Sequence, residues 1–105
     1  MLWKRKRAGA QEPLSVVLYT REGCCLCDEM KAAIERARAD AAGSLARVPF
    51  ELREVDIDTD PALVERYGLS IPVLEIDGRA AFKGRLSPED LARKLARRAA
   101  ARGRA

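Results

Sequence analysis

The chain has 105 residues, a length suited to one domain with its own apolar core. Its three cysteines lie within four positions, at 24, 25 and 27, so they cannot cross-link distant segments, and this excludes a disulfide-stapled secreted scaffold. No apolar run is long enough to cross a membrane, and the basic residues 1–7 are not followed by the apolar segment of a signal peptide. We therefore expect a cytoplasmic protein.

The formal net charge of +4 is concentrated at the two ends of the chain. Residues 1–7 carry four basic groups and residues 91–105 carry six, with no acidic group in either segment, whereas residues 8–90 carry ten basic groups against 16 acidic ones. Basic ends can bind nucleic acid or an acidic membrane, but no recognisable nucleic-acid motif accompanies them. We therefore interpret residues 1–13 as a flexible basic leader and 99–105 as a flexible basic tail, binding neither membrane nor nucleic acid.

Between these ends, apolar periodicity and turn residues predict four strands and three helices. In chain order they are a strand at 15–20, a helix at 25–42 ended by Gly43, a loop at 44–49, a strand at 50–56, a helix at 61–67, strands at 72–76 and 80–83, and a helix that starts at 88 and frays after about Arg98. The first strand is continuously apolar at 16–18, which is typical of a central strand covered on both faces.

Capping and turn residues support these boundaries. Asp60 before Pro61 is a strong helix start, and Ser87 before Pro88, with Asp90 three positions after the cap, is another. Asp77-Gly78 predicts a hairpin between the last two strands. The order βαβαββα makes the first two strands parallel and the last two antiparallel, so we expect an α/β fold with a four-stranded mixed sheet flanked by three helices, on both faces of the sheet.

The main functional signal is the cysteine pair Cys24 and Cys27, which follows the first strand and opens the first helix. The first turn of a helix has unpaired N–H groups and the positive end of the helix dipole, and both stabilise a thiolate. Residues three apart are neighbours on a helix, so Cys24 can attack a disulfide and Cys27 can resolve the mixed disulfide. Arg21 would add positive charge near the thiolate, while Glu22, Asp28 and Glu29 would oppose it.

The segment from Tyr19 to Cys27 resembles glutaredoxins and the small glutaredoxin-like proteins of the thioredoxin superfamily. An aromatic-polar pair ends the first strand, a short loop with Arg21 three positions before Cys24 follows, and C-x-x-C comes next. The resemblance covers roughly residues 14–98 and implies a thioredoxin-like fold of the glutaredoxin type.

The resemblance also implies a function and a set of binding residues. A cis-proline is expected at Ile71-Pro72, facing the cysteines, and Gly84-Arg85-Leu86-Ser87 resembles the thioredoxin pattern Gly-x-Leu-Ser. The implied substrate-binding residues are Arg21, Ile71, Pro72, Gly84 and Arg85. The implied activity is thiol–disulfide oxidoreduction on a disulfide-bearing protein or glutathione, by a monomer with no bound cofactor or metal and with glutathione as a candidate reductant.

Other functions remain open from the residues alone. Three clustered cysteines could hold an iron–sulfur cluster or a metal ion, although the chain has no histidine and no fourth cysteine for a closed tetrahedral site. The domain could also be a non-catalytic partner-binding module that keeps only the fold. Cys25 is either a small residue filling a loop position or a competing thiol that reacts with Cys27 or in dimerisation.

Overall fold

A four-stranded sheet forms the centre of the structure, a computed structural model that describes residues 13–40 and 48–104. Its strands are β1 (Leu14–Thr20), β2 (Phe50–Asp56), β3 (Val73–Ile76) and β4 (Arg79–Lys83), in the spatial order β2-β1-β3-β4. β1 pairs in parallel with β2 and antiparallel with β3, and β3 pairs antiparallel with β4. The predicted mixed sheet is therefore confirmed, with β1 and β3 at its centre.

Three helices accompany the sheet in the described residues: α1 (Cys25–Asp40), α2 (Pro61–Tyr67) and α3 (Pro88–Arg104). The side chain of Asp60 accepts a hydrogen bond from the N–H of Ala62, and Ser87 Oγ accepts one from the N–H of Asp90. Both predicted caps are thus confirmed, because a short polar side chain satisfies an N–H group that the first helical turn leaves free. A short 3₁₀ helix, Ile57–Thr59, precedes α2.

The helices cover both faces of the sheet. The larger core lies between the sheet and the pair α1 and α3, and it contains buried residues of all three: Leu14, Val16, Leu18, Met30, Ile34, Ala37, Leu74, Ile76, Leu91 and Leu95. A smaller core on the other face joins Ile57, Tyr67 and Val73. The alternation of β1 between these faces leaves Val17 and Tyr19 only half-buried, so the second face is covered less completely than the first.

The smaller core carries a polar cluster centred on the carboxylate of Glu75. The hydroxyl of Tyr67 donates to Glu75 Oε2 over 2.6 Å, and the hydroxyl of Tyr19 donates to Oε1 over 3.1 Å. The two tyrosine rings lie 4.8 Å apart between centroids. Because a half-buried carboxylate needs donors, the two hydroxyl groups allow Glu75 to occupy a strand that faces an apolar core.

The last helix is longer than the sequence pattern predicted. α3 continues to Arg104, whereas fraying was predicted after about Arg98 and a flexible tail from 99. Ala99, Ala100 and Ala101 have the highest helix propensity and no proline interrupts them. In addition, the guanidinium of Arg98 donates to the carbonyl of Ile76 over 2.6 Å, which fixes this turn of the helix to the sheet.

Some predictions fall outside the described residues. These are the leader up to residue 12, the last two residues of the predicted first helix, its stop at Gly43, and the loop at 44–47. Within the described part of the chain, no helix has the length and apolar character needed to cross a membrane.

Candidate functional site

Cys24 is the N-cap residue of α1. Its carbonyl oxygen accepts the first hydrogen bond of the helix, from the N–H of Asp28 over 3.3 Å, and its sulfur accepts the N–H of Cys27 over 3.1 Å. The preceding turn passes through Gly23 at φ +82°, a conformation that glycine adopts without strain. The Cys24 thiol is partly exposed and occupies the place where a capping oxygen would otherwise lie, so the helix N-terminus can stabilise its negative charge.

Cys27 lies one turn into α1 and is only 4% exposed. Burial, a side-chain hydrogen bond with Cys24 and the charges of Cys24 and Asp28 raise the pKa of the Cys27 thiol to about 11, although a hydrogen bond from the backbone N–H of Arg21 opposes them. Desolvation dominates because it disfavours the charged thiolate. The two thiols of the pair therefore differ: Cys24 is accessible at a helix N-terminus, and Cys27 is buried and protonated at neutral pH.

Cys25 lies outside this pair. It is the first residue of α1 rather than a loop residue, and its side chain is exposed. All three cysteines have free thiols, and each has a different environment. The prediction that Cys25 is a small residue in a loop is therefore wrong, because the residue begins α1; a competing thiol stays a prediction.

A groove of about 470 Å³ opens beside the cysteine pair. It lies where β1 and β2 end, because parallel strands bring their carboxyl ends to the same edge of a sheet and Thr20 pairs with Asp56. The residues that line it are Thr20, Arg21, Glu22, Gly23, Cys24, Cys27, Asp28, Lys31, Glu54 and Asp56. Lys31, Glu54 and Asp56 were not predicted as site residues, although the predicted parallel pairing of the first two strands already places the end of β2 beside the cysteine loop.

The guanidinium of Arg21 is paired with Asp58 rather than left free beside the thiols. Its Nη2 and Nε both donate to Asp58 Oδ1, over 2.9 and 3.1 Å, and Nε also lies 3.2 Å from Oδ2. This two-pronged pairing raises the pKa of Arg21 above its ordinary value. The positive charge that Arg21 was predicted to add near Cys24 is therefore offset by Asp58, a carboxylate 37 residues away in sequence that the prediction did not include.

The Ile71-Pro72 peptide bond is cis, as the resemblance implied. Pro72 is buried one residue before Val73, the β3 partner of Tyr19, so it lies at the same edge of the sheet as the loop that leads to Cys24. Gly84, at φ +77°, donates its N–H to the carbonyl of Pro72 over 2.9 Å. Ile71 is half-buried against the smaller core. The structure thus brings Pro72 and Gly84 together.

Arg85 lies apart from the cysteine groove. Its guanidinium pairs with Glu29 of α1 over 3.0 Å and remains largely exposed. It lines a second groove of about 400 Å³ with Glu29, Leu86, Ser87 and Asp90, and none of these residues lines the cysteine groove. Of the predicted binding residues, Arg21 lines the same groove as Cys24 and Cys27.

The other prediction for the clustered cysteines was a metal ion or an iron–sulfur cluster. Across residues 13–40 and 48–104, no group of three or more cysteine or acidic side chains has an arrangement that could hold a metal ion.

A mixed four-stranded sheet between helices, with a cysteine capping the first helix and a cis-proline at the same sheet edge, defines the thioredoxin class of folds. The chain belongs to the family described as the glutaredoxin-like domain (DUF836), whose family model matches residues 15–96. The comparison with curated protein sequences gives no match.

Solved structures agree with this assignment. The protein XcR50 of X. campestris is 32% identical with a TM-score of 0.62, over 78% of this chain and 96% of that one. The protein Ne2328 of Nitrosomonas europaea is 31% identical with a TM-score of 0.61, over 80% and 93% of the two chains. A thioredoxin of Halobacterium salinarum, 17% identical with a TM-score of 0.58 over 86% and 78%, shares the fold.

Proposed function

We propose that the chain is a thiol–disulfide oxidoreductase that reduces protein or mixed disulfides with the pair Cys24 and Cys27. One observation carries this proposal: the partly exposed thiol that caps α1 accepts the N–H of the buried cysteine one turn later. The groove gives a substrate access to the first thiol, while the second is held beside it and away from solvent. Both thiols come from one chain, so the reaction needs only a monomer.

The chemistry divides into two exchanges. In the first, the Cys24 thiolate attacks one sulfur of the substrate disulfide, a Cys24–substrate disulfide forms, and the other substrate sulfur leaves as a thiolate that takes up a proton. In the second, the Cys27 thiol gives up its proton, attacks the Cys24 sulfur and releases the remaining substrate thiol. The substrate has then gained two electrons and two protons, and the enzyme holds a Cys24–Cys27 disulfide.

The high pKa of Cys27 separates these two steps. At neutral pH the buried thiol stays protonated, so it does not compete with Cys24 for the substrate. It loses its proton only for the second exchange. An external thiol must then reduce the enzyme disulfide, and glutathione is a candidate donor of these electrons. We place the reaction in the cytoplasm, where thiols are kept reduced.

Turnover of a small neutral disulfide, 2-hydroxyethyl disulfide, tests the proposal when a reductant is present in excess. Cys24→Ser should reduce turnover by about a hundred-fold or more, because no other described thiol caps a helix. When the reductant is left out, Cys27→Ser should still carry out the first exchange and accumulate a mixed disulfide at Cys24, detected by mass spectrometry. Cys25→Ser is the matched control and should form the same intramolecular disulfide as the wild type.

Two results would overturn the proposal. One is unchanged turnover in both Cys24→Ser and Cys27→Ser. The other is the absence of a mixed disulfide in Cys27→Ser even with excess substrate. Either result, in a protein with a normal unfolding transition, would favour the reading that the domain keeps the fold only to bind a partner.

A further inference from the structure

The groove beside the cysteine pair carries an excess of negative charge. Its lining includes four carboxylates, those of Glu22, Asp28, Glu54 and Asp56, and two cations, those of Arg21 and Lys31. The body of the chain is acidic as well, since the basic groups are concentrated at the ends. The imbalance matters here because these charges surround the proposed nucleophile.

Both cations of the groove are already paired. Arg21 binds Asp58, and Lys31 Nζ lies 3.2 Å from Glu54 Oε2. Pairing of this kind cancels most of the field that a lysine or arginine would present to an approaching anion. The groove therefore offers no free cation to a negatively charged ligand, within the part of the chain that the structure describes.

Of the four carboxylates that line the groove, Glu22, Asp28 and Asp56 make no ion pair with a described residue. They come from three elements, the loop before α1, the first turn of α1 and the end of β2, which converge on the groove. All three line one groove of about 470 Å³, and charges are screened over about 8 Å at physiological ionic strength. A ligand in the groove is therefore within reach of all three charges.

We infer that Glu22, Asp28 and Asp56 select disulfides that carry positive charge close to their sulfur atoms, over neutral and anionic disulfides. This inference rests on the proposed function, because it assigns a substrate class to the Cys24 groove. The bond changes are those already given: Cys24 forms the mixed disulfide with one half of the substrate, and the other half leaves as a cationic thiol. The carboxylates concentrate the cation beside Cys24 and take no part in the exchange.

The same charges act against an anionic partner. Glutathione has two carboxylates and one ammonium group, so it approaches the groove with net negative charge. Its disulfide should therefore be a poorer substrate than a cationic disulfide of similar intrinsic reactivity, and its thiol a slower reductant than a neutral one. Glutathione thus remains a candidate reductant that this groove does not favour.

Three small disulfides of nearly equal length measure the selectivity. Cystamine is cationic, 2-hydroxyethyl disulfide is neutral and 3,3′-dithiodipropionate is anionic. Each rate of mixed-disulfide formation with Cys27→Ser is divided by the rate of the same disulfide with dithiothreitol, which removes differences in leaving-group reactivity. At low salt, the corrected rates should fall from cation to neutral to anion, by about ten-fold in total, and should converge near 0.5 M salt.

Matched variants test whether the groove carboxylates cause the selectivity. The double variant Glu22→Gln/Asp28→Asn removes two of the three charges and should reduce the cation-to-neutral rate ratio to about one third of its original value or less. Glu51→Gln makes the same kind of charge change on an exposed residue at the other end of β2, paired with Ser15, and should leave the ratio unchanged. The neutral disulfide reports any general change in thiol reactivity, so the ratio isolates the selectivity.

The outcomes separate the two proposals. Turnover of the neutral disulfide that depends on Cys24 supports the proposed function, whatever the ratios are. Equal corrected rates for the three disulfides at low salt, or a ratio that Glu22→Gln/Asp28→Asn and Glu51→Gln alter equally, would overturn the selectivity alone. Loss of all three reactions would overturn the proposed function.

A second experiment, with peptide disulfides, tests whether the cationic substrate is a protein segment or a small molecule. Disulfide-linked dimers of a cysteine peptide with flanking lysines and of its counterpart with flanking glutamates are compared under the same conditions. A lysine peptide that reacts faster than both the glutamate peptide and cystamine supports a basic protein segment as the partner. Preference for cystamine over the lysine peptide supports a small cationic disulfide, and preference for the glutamate peptide contradicts the inference.

Discussion

The backbone N–H of Cys27 donates to the sulfur of Cys24 over 3.1 Å, while the Cys27 thiol itself is buried and hydrogen-bonded to the same sulfur. The Cys24 thiol thus caps α1 by accepting the N–H of its third residue. The two cysteines thus differ in their access to solvent, and the pKa of Cys27 is raised; an ordered two-step exchange uses one accessible thiol and one that reacts later.

The first prediction concerns the pH dependence of Cys27. Its pKa is raised to about 11, so its reactive thiolate is populated only at high pH and decreases about ten-fold for each unit below that value. In a Cys24→Ser/Cys25→Ser variant, burial persists, and burial is the largest cause of the shift. We expect the rate of alkylation by iodoacetamide to rise about ten-fold per pH unit from 7 to 10.

N-acetylcysteine, measured in parallel, provides the reference, since the rate of a free thiol levels off near its pKa of about 8.5. A plateau for Cys27 below pH 9 would contradict the raised pKa. Mass spectrometry of the alkylated protein confirms that the reaction occurs at position 27 of the chain.

The second prediction concerns Tyr67 and Glu75. Tyr67→Phe removes the 2.6 Å hydrogen bond to a half-buried carboxylate, and it should lower the free energy of unfolding by about 2 kcal/mol. Tyr19→Phe removes a longer bond to the same group, of 3.1 Å, and should cost less, about 1 kcal/mol. Urea unfolding at pH 7 measures both values.

In the double variant Tyr19→Phe/Tyr67→Phe, Glu75 loses both of these donors. The free energy of unfolding should therefore fall by more than the sum of the two single decreases. Additive losses would mean that solvent satisfies the carboxylate. The hydrogen bond to Glu75 and burial both raise the pKa of Tyr67, so this contribution is present at neutral pH and is lost as the pH rises above about 10.

The third prediction tests the cap of α3. Ser87 Oγ accepts the N–H of Asp90 over 3.0 Å, and Ser87→Ala should lower the free energy of unfolding by about 1 kcal/mol. Ser70→Ala is the control, because the Ser70 hydroxyl makes no hydrogen bond with the described residues; it should change the unfolding free energy by less than about 0.5 kcal/mol. Equal effects of the two substitutions would exclude Ser87 as a stabilising cap.

The fourth prediction concerns the pairing of Arg21 with Asp58. Asp58→Asn removes the carboxylate but keeps the size of the side chain, so the guanidinium presents its full charge to the groove. We expect the corrected rate with the anionic disulfide to rise relative to the cationic one, by about three-fold at low salt. Stability should change by less than about 1 kcal/mol, since the pair is partly exposed.

Asp60→Asn provides a partial control for this substitution. It makes the same change of charge two residues along the chain, at the cap of α2, where asparagine caps as well as aspartate. An identical shift in selectivity from Asp58→Asn and Asp60→Asn would show that net charge alone, rather than the release of Arg21, alters the rates.

Much of the fold was predictable because its signals are local. Two helix starts have a cap followed by proline, namely Asp60-Pro61 and Ser87-Pro88, and this signal lies in adjacent residues. The hairpin turn is equally local, with positive φ at Asp77 and Gly78, 51° and 83°. The position of Cys24 at the start of α1 was predictable for the same reason, since the cap residue directly precedes the helix in sequence. The extent of α3 has a local signal in Ala99, Ala100 and Ala101, whereas the contact of Arg98 with the Ile76 carbonyl joins the helix to a distant strand and could not be predicted.

The sequence by itself determined the order of the elements, their caps and the cysteine pair at a helix start, because each depends on residues a few positions apart. Only the tertiary structure decided the burial of Cys27, the sheet order with β1 and β3 at the centre, the pairing of Arg21 with Asp58 and the meeting of Asp28 with Asp56 in one groove. These depend on contacts between segments far apart in the chain. The position of Cys24 at a helix start is thus encoded by neighbouring residues, whereas the charges that surround it depend on the packing of distant segments.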